Sequence, residues 1–213
     1  MAVELLLCAA TDLECALLRE QLKSLHASVA IVRTGVGPVN AAHAATLFLA
    51  KTGARAVVVC GVGGAYPGSG LNIGDVVCAA SECYGDLGAT SRAGFLDMKA
   101  LGFPVIDQSE TLGPIFNELP MQIFPVEKRV PFVTVSSCTG TGAGALALEQ
   151  RTGGAVESME GAAIAHVARL RGIPVGEVRG ISNLVTNRDP SAWRLKEPAG
   201  AAQEALISWI IRR

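Results

Sequence analysis

No stretch of this 213-residue sequence approaches 20 consecutive apolar residues, although half of its residues are hydrophobic. A membrane-spanning helix is therefore not expected. Blocks of like charge are also missing: 18 Lys and Arg stand against 19 Asp and Glu, for a formal net charge of -1. Nothing electrostatic points to nucleic acid or to an anionic membrane surface. The six cysteines (Cys8, Cys15, Cys60, Cys78, Cys83 and Cys138) include no C-x-x-C pair, and most sit inside apolar runs. They read as buried thiols of a cytoplasmic protein. The three histidines, His26, His43 and His166, are scattered and form no ligand cluster, so no metal is expected. Gly-Lys-Ser/Thr does not occur, which excludes a Walker-type nucleotide triphosphatase. The opening MAVELLLCAATDLE lacks a basic start and a cleavage site, and it reads as a first strand rather than a signal peptide.

What is present is alternation. Strands are expected at Glu4–Ala10, Val29–Thr34, Ala56–Gly61, Asp75–Cys83, Phe132–Ser137, Ala155–Glu157 and Val175–Ser182. Helices are expected at Asp12–Lys23, Pro38–Lys51, Gly142–Arg151, Met159–Arg171 and about Pro198–Arg213. The segment from Gly85 to Val130, rich in Gly, Pro and polar residues, reads as long loops with one short helix. There is no repeat, low-complexity tract or linker, so one domain over 1–213 is expected. Continuous apolar strands between helices imply an α/β layer fold with a mostly buried sheet.

Ligands in such sheets gather beyond the carboxyl ends of the strands. Those ends carry Ala10–Glu14, Gly35–Pro38, Gly61–Gly64, Cys138–Gly142, Ser158–Glu160, and Ser182–Asn183 with a following loop containing Arg188, Asp189 and Trp193. Gly35-x-Gly37 and Gly140-x-Gly142-x-Gly144 follow strands, but neither completes G-x-G-x-x-G. Each is open to a second reading as a tight strand-to-helix turn. Two carboxylates, Glu14 and Glu160, and one carboxamide, Asn183, could meet at one rim. Such a pair of acids suits glycosidic cleavage. Equally, Glu14 could be a charge on the solvent face of the first helix, and Glu160 an acid favoured by a helix N-terminus.

At these residues the sequence resembles the nucleoside phosphorylase superfamily, on the branch of methylthioadenosine/adenosylhomocysteine nucleosidases and futalosine hydrolases. Val156-Glu157-Ser158-Met159-Glu160-Gly161-Ala162-Ala163-Ile164-Ala165-His166 is similar to V-E-M-E-x-x-A-I-A-H, with one extra residue before Met159. Val178-Arg179-Gly180-Ile181-Ser182-Asn183 is similar to V-R-A-I-S-D, and Ala10-Thr11-Asp12-Leu13-Glu14 to A-M-x-x-E. Thr34-Gly35-Val36-Gly37 and Gly61-Val62-Gly63-Gly64, with Ile73-Gly74-Asp75 downstream, follow in order. The resemblance covers nearly the whole chain.

It implies a single-domain, three-layer α/β/α sandwich around a central mixed sheet, and hydrolysis of a purine nucleoside without metal or organic cofactor. It makes Glu14 the base for the attacking water and Glu160 the holder of the ribose 2′-hydroxyl, with Met159 against the ribose. Val62 and Gly63 lie in the turn that approaches sugar and water. Cys138, Thr139, Gly140 and Thr141 would lie beside the base, and Ser182 and Asn183 at its N7 edge. Arg179 is expected to be structural and paired with Glu157. A homodimer is expected from the same resemblance.

Asn183 departs from the Asp of the adenine-specific relatives. An amide donates to the acceptors N7 and O6 of a 6-oxopurine, where a carboxylate would face two lone pairs. Hypoxanthine, and hence futalosine, is the expected base and substrate. Arg188 and Trp193 are expected to close over the carboxyphenyl group at the 5′ end. A second departure is Val62, where the nucleosidases carry Ser. A phosphorylase would instead need cations for phosphate, and Arg19 and Arg33 are the nearby candidates, with Glu14 repelling the anion. A catalytically silent nucleoside-binding protein and a dinucleotide-dependent oxidoreductase complete the alternatives.

Overall fold

The protein is described from a computed structural model, over residues 3–25, 28–107 and 113–212. His26, part of the 85–130 segment and the last residue of the expected terminal helix lie outside that range.

Strand β1 (Leu5–Ala9) is apolar at every position because both of its faces are covered. Leu6 and Cys8 face one core, and Leu5, Leu7 and Ala9 face another. Helix α1 (Ala16–Gln21) follows, then β2 (Val29–Arg33), α2 (Pro38–Thr52) and β3 (Ala56–Ala65). Next come β4 (Val76–Tyr84), the hairpin strands β5 (Gly88–Ser91) and β6 (Gly94–Asp97), the short helix α3 (Met98–Leu101) and β7 (Glu118–Pro120). The chain continues through β8 (Arg129–Thr134), α4 (Gly142–Thr152), β9 (Val156–Ser158), α5 (Gly161–Leu170), β10 (Val175–Leu184) and α6 (Lys196–Ile211).

The central sheet is mixed, in the order β2-β1-β3-β9-β8-β4-β10, with β7 on β4. Strand β10 returns to pair with β3, so this side of the sheet curls closed. Helices α2 and α5 pack on one face through Ala41, Ala45, Leu49, Ala162 and Ile164. Helices α1 and α6 cover the other through Leu18, Ala202, Leu206 and Ile207. This is the layered α/β arrangement that the alternation implied.

Three expectations change. The glycines after AVVVC do not form a turn: β3 runs on through Gly61–Gly64 to Ala65, paired with β10 and with β9. Glycine is required there because side chains from three directions occupy the space. An added Cβ would lie 2.6 Å from Val156 at Gly63 and 2.7 Å from Val185 at Gly64. The first helix begins at Ala16 and not Asp12, because Thr11–Glu14 closes its own turn. The 85–130 segment contains β5, β6 and β7 besides its short helix. The hairpin is half-exposed, with four-residue strands, so it leaves no long apolar run to read.

Candidate active site

The closure of the sheet brings the ends of β1, β3, β9 and β10 to one place. Strand β9 runs antiparallel to the end of β3, with Gly64 opposite Glu157, which returns Ser158–Glu160 toward Gly63. Between Ile181 and Asn183 the β3–β10 register shifts, leaving Ser182 as a bulge. Bulges re-aim side chains, and here both Ser182 and Asn183 line a cleft of about 450 Å³. Also on its wall are Glu14, Val62, Gly63, Cys138, Thr139, Met159, Glu160, Arg179 and Trp193.

Glu14 is not on a solvent face; it is 4% exposed. Its Oε2 accepts from Thr11 N–H at 3.0 Å and from the Thr11 hydroxyl at 2.8 Å. Backbone and side chain together close the Thr11–Glu14 turn ahead of the helix, a Thr-x-x-Glu pattern in the sequence. Its Oε1 accepts from Val62 N–H at 2.9 Å. The following helix is held by Gln203 of α6, whose Oε1 accepts from Leu17 N–H at 3.0 Å and whose Nε2 donates to Leu13 O at 3.0 Å.

Glu160 is equally buried and makes no cap hydrogen bond to its own helix. Its Oε1 accepts from Gly37 N–H at 3.0 Å. Gly37 has φ of 94°, a conformation open to glycine, so the Gly-x-Gly turn before α2 serves here to clamp a carboxylate. The second oxygen of Glu160 accepts from Arg179 Nη2 at 3.1 Å.

Arg179 does not pair with Glu157, as expected from sequence. It is 1% exposed and lies among three other carboxylates. Nε donates to Glu177 at 2.7 Å, Nη2 reaches Glu160, and Nη1 donates to Val62 O at 3.0 Å, with Glu14 Oε1 at 3.8 Å. Burial pushes the guanidinium toward neutrality, but Glu177, Glu160 and Glu14 together outweigh it and keep the group charged. The pairing with Glu177 was readable, since residues two apart on a strand share a face. Its reach to Glu160 joins residues far apart in sequence and had no local signal.

Glu157 instead anchors the loop beside the cleft. It accepts from Thr139 N–H at 2.9 Å, from the Thr139 hydroxyl, and from Tyr66 OH at 2.9 Å. Cys138 Sγ lies 3.3 Å from Met159 Sδ, and burial followed by the nearby Glu157 charge holds its thiol above its usual range. Gly140 and Thr141 are not on the cleft wall; Thr141 caps α4 by accepting from Gly144 N–H.

At the other end, Ser182 Oγ lies 2.7 Å from Asn183 Oδ1 and 3.2 Å from Gly63 O, with one proton to give to either, and Asn183 Nδ2 donates to Leu184 O at 3.2 Å. The flipped amide would set its oxygen against the Leu184 carbonyl, so that contact favours Nδ2 as the donor side. Trp193 lines both the cleft and an adjoining cavity of about 210 Å³. Arg188 lines only the latter, with its guanidinium 4.6 Å from the Trp193 ring centre. Asp189 turns to Ser191 and not to Arg188. Arg19 and Arg33 both bind Asp12, at 2.8 and 2.7 Å, on the exposed side of the turn. Among the described residues, no three His, Cys, Asp or Glu side chains are grouped to hold a metal ion.

The sequence profile of the phosphorylase superfamily matches residues 23–208. A futalosine hydrolase of Thermus thermophilus is 32% identical over 183 residues, covering 82% of this chain and 78% of that protein. One of Streptomyces coelicolor is 36% identical over 186 residues, covering 83% and 76%. Among solved structures, the 5′-methylthioadenosine/S-adenosylhomocysteine nucleosidase of Neisseria meningitidis, in complex with methylthio-immucillin-A, superposes with a TM-score of 0.82. That likeness spans 99% of both chains at 19% identity and concerns the fold. On the strength of the profile and the two hydrolases, the chain belongs to the phosphorylase superfamily, in the branch of the futalosine hydrolases.

Proposed function

We propose that this protein hydrolyses the N-ribosidic bond of a 6-oxopurine nucleoside, converting futalosine to hypoxanthine and dehypoxanthinylfutalosine within menaquinone biosynthesis. The observation that carries the reading is one cleft with two buried carboxylates, Glu14 and Glu160, at one end and an oriented amide, Asn183, at the other. Glu14 accepts a proton from water, whose oxygen bonds to C1′ as the C1′–N9 bond breaks. Glu160 holds the 2′-hydroxyl as positive charge builds on the sugar. Asn183 has no acidic proton to give, so hypoxanthine leaves as an anion steadied by Nδ2–H and takes its proton from water. One Nδ2 hydrogen is engaged by Leu184 O, leaving one for the base. Met159 packs on the ribose, and Trp193 supplies an apolar wall. Val62 contributes through its backbone, whose N–H and C=O bind Glu14 and Arg179, so its side chain need not be Ser.

A phosphorylase reading is disfavoured by charge. Arg19 and Arg33 are taken by Asp12, and the one arginine on the cleft wall is surrounded by carboxylates. The step draws on no cofactor. We further place the enzyme in the cytoplasm as a homodimer; among the described residues no helix is long and apolar enough to cross a membrane. The test is incubation of the protein with futalosine, inosine and methylthioadenosine, with and without phosphate and chelator. Free hypoxanthine from futalosine in all four conditions is expected. Base release that requires phosphate, or adenine release as fast as hypoxanthine, would overturn the assignment.

A further inference from the structure

Three buried carboxyl groups contact Arg179 and a fourth lies behind them; the mechanism uses Glu14 and Glu160. The other two, Glu177 and Glu82, are 0% and 1% exposed. Glu177 Oε1 takes Arg179 Nε, but Glu177 Oε2 is buried with no N–H or hydroxyl donor among the described residues. What it faces is Glu82. Glu82 Oε1 and Glu177 Oε2 both lie 2.0 Å from the point that a Gly161 Cβ would occupy, so the two carboxyls meet across the space that Gly161 leaves open. Glu82 Oε2 is held by the Thr134 hydroxyl at 3.0 Å, which itself accepts from Ala162 N–H at 2.8 Å. Ser158 Oγ stands 3.4 Å from Glu82 Oε1.

We propose that Glu82 is a positioning residue, kept as a neutral carboxyl that donates to Glu177 Oε2, and that the pair fixes Arg179 between Glu14 and Glu160. The argument is one of charge and donors. A single guanidinium cannot offset four buried carboxylates, and Glu82 is the one with no direct contact to it. A proton on Glu82 Oε1 supplies the donor that Glu177 Oε2 lacks. Glu177 is then free to offer its other oxygen wholly to Arg179 Nε. Arg179 in turn holds Glu160 and the Val62 carbonyl, and the Val62 N–H holds Glu14.

Among the described residues, no ion pair joins Glu82 or Glu177 to a cation other than Arg179; Arg151 of α4, whose charge reaches Cys83, donates to Gly85 O, and Arg129 of β8 stands over the Phe124 ring. Strand β10 brings Glu177 and Arg179, β9 brings Glu157, and α5 brings Glu160 at its start and His166 further on. Strand β7 brings Glu118, and β4 itself carries Cys83 and Tyr84. Burial pushes the Cys83 thiol and the Tyr84 hydroxyl up and His166, which Tyr84 contacts at 3.3 Å, down. Burial, followed by the charge of Glu177, likewise raises the Glu82 carboxyl well above the carboxylate range.

The inference rests on the roles given to Glu14 and Glu160 above, so one arm of its test is independent of activity. Glu82→Gln keeps a donor and the shape; Glu82→Met keeps only the bulk. With futalosine, Glu82→Gln should keep most of kcat. Glu82→Met should lose about tenfold or more in kcat with little change in KM, because a buried acceptor is left unpaired. Equal activity of the two variants would overturn the proposal. The second arm is thermal unfolding of the wild type and Glu82→Gln between pH 4.5 and 8. Glu82 is protonated when folded and ionised when unfolded, so the wild type releases a proton on unfolding and loses stability as pH rises. The Gln variant has no such release. Its Tm should draw level with or exceed that of the wild type by a margin that widens with pH. A constant difference would show that Glu82 is ionised in the fold, and the proposal would fail. Inactivity of the wild type on every nucleoside would overturn the proposed function and leave this second arm readable.

Discussion

At the scale of single residues, the cleft is organised by donors rather than by isolated charges. Each oxygen of Glu14 and Glu160 has an N–H or hydroxyl partner: Thr11 and Val62 for one acid, Gly37 and Arg179 for the other. An amide at position 14 keeps only half of that pattern and cannot take a proton from water. Glu14→Gln should therefore lower kcat by about 10²–10⁴-fold while still binding a substrate analogue, measured by steady-state kinetics and calorimetry. Turnover near the wild-type rate would move the base elsewhere. Asn183 makes a complementary case. The Leu184 carbonyl favours its Nδ2 as the donor side, which suits an acceptor of hypoxanthine and meets the amine of adenine donor to donor. A buried polar mismatch of this kind supports discrimination of roughly 10⁴-fold, less where the amide can turn. Asn183→Asp should slow hypoxanthine release and open measurable release of adenine from methylthioadenosine. A variant that cleaves neither substrate differently would remove position 183 from base choice.

At the scale of elements, the site depends on how closely β1, β3 and β10 approach. Gly61 is opposite Arg179 in the β3–β10 pairing, and an added Cβ there would lie 2.4 Å from Glu14 Oε1 and 2.6 Å from Arg179 Nη1. Gly61→Ala should fold, because its strand neighbours are unchanged, yet displace both side chains. A misplacement of about 1 Å can cost on the order of 10²-fold in rate, and that loss in kcat is the expected reading. Full activity in this variant would mean that the two side chains have room to retreat. The same strands show what the sequence disclosed. Strand β1 and the first half of β3 are apolar runs buried on both faces, and β10, buried through Ser182 although it carries Glu177 and Arg179, follows the Gly172-Ile173-Pro174 break, so their places were legible, as was the order of strand ends that carries Glu14, Glu160 and Asn183. The continuation of β3 through four residues containing three glycines was not, because glycine signals a turn unless neighbouring side chains demand the space. Glu14 could also be assigned to a solvent-facing helix, since helical periodicity takes no account of the Thr11–Glu14 turn. The partners of Arg179 lie on β3 (Val62), at the start of α5 (Glu160), in the turn after β1 (Glu14) and on β10 (Glu177), and only the i, i+2 contact to Glu177 is local.

At the scale of the whole molecule, the apolar character of the chain is not exhausted by its buried clusters. Helix α2 buries Ala41, Ala45 and Leu49 against the sheet, while Val39 and Leu47 on its outer side remain 80% and 52% exposed. With His43 between them, they stand at i, i+4 and i+8, one stripe along one face. Val36, 50% exposed just before the helix, extends the stripe to the mouth of the cleft, which it helps to line. An exposed stripe of Val36, Val39 and Leu47, broken only by His43, beside a binding site is the kind of surface that a second subunit covers, and two-fold symmetry would set α2 against its own copy. We expect the protein to sediment as a dimer at micromolar concentration, and Leu47→Glu to sediment as a monomer with its far-ultraviolet circular dichroism unchanged. Because the stripe reaches Val36, loss of the dimer should also uncover one side of the cleft and raise KM for futalosine. A wild-type monomer in the same experiment would show that the stripe stays in water. A Leu47→Glu variant that remains a dimer would place the interface on another face.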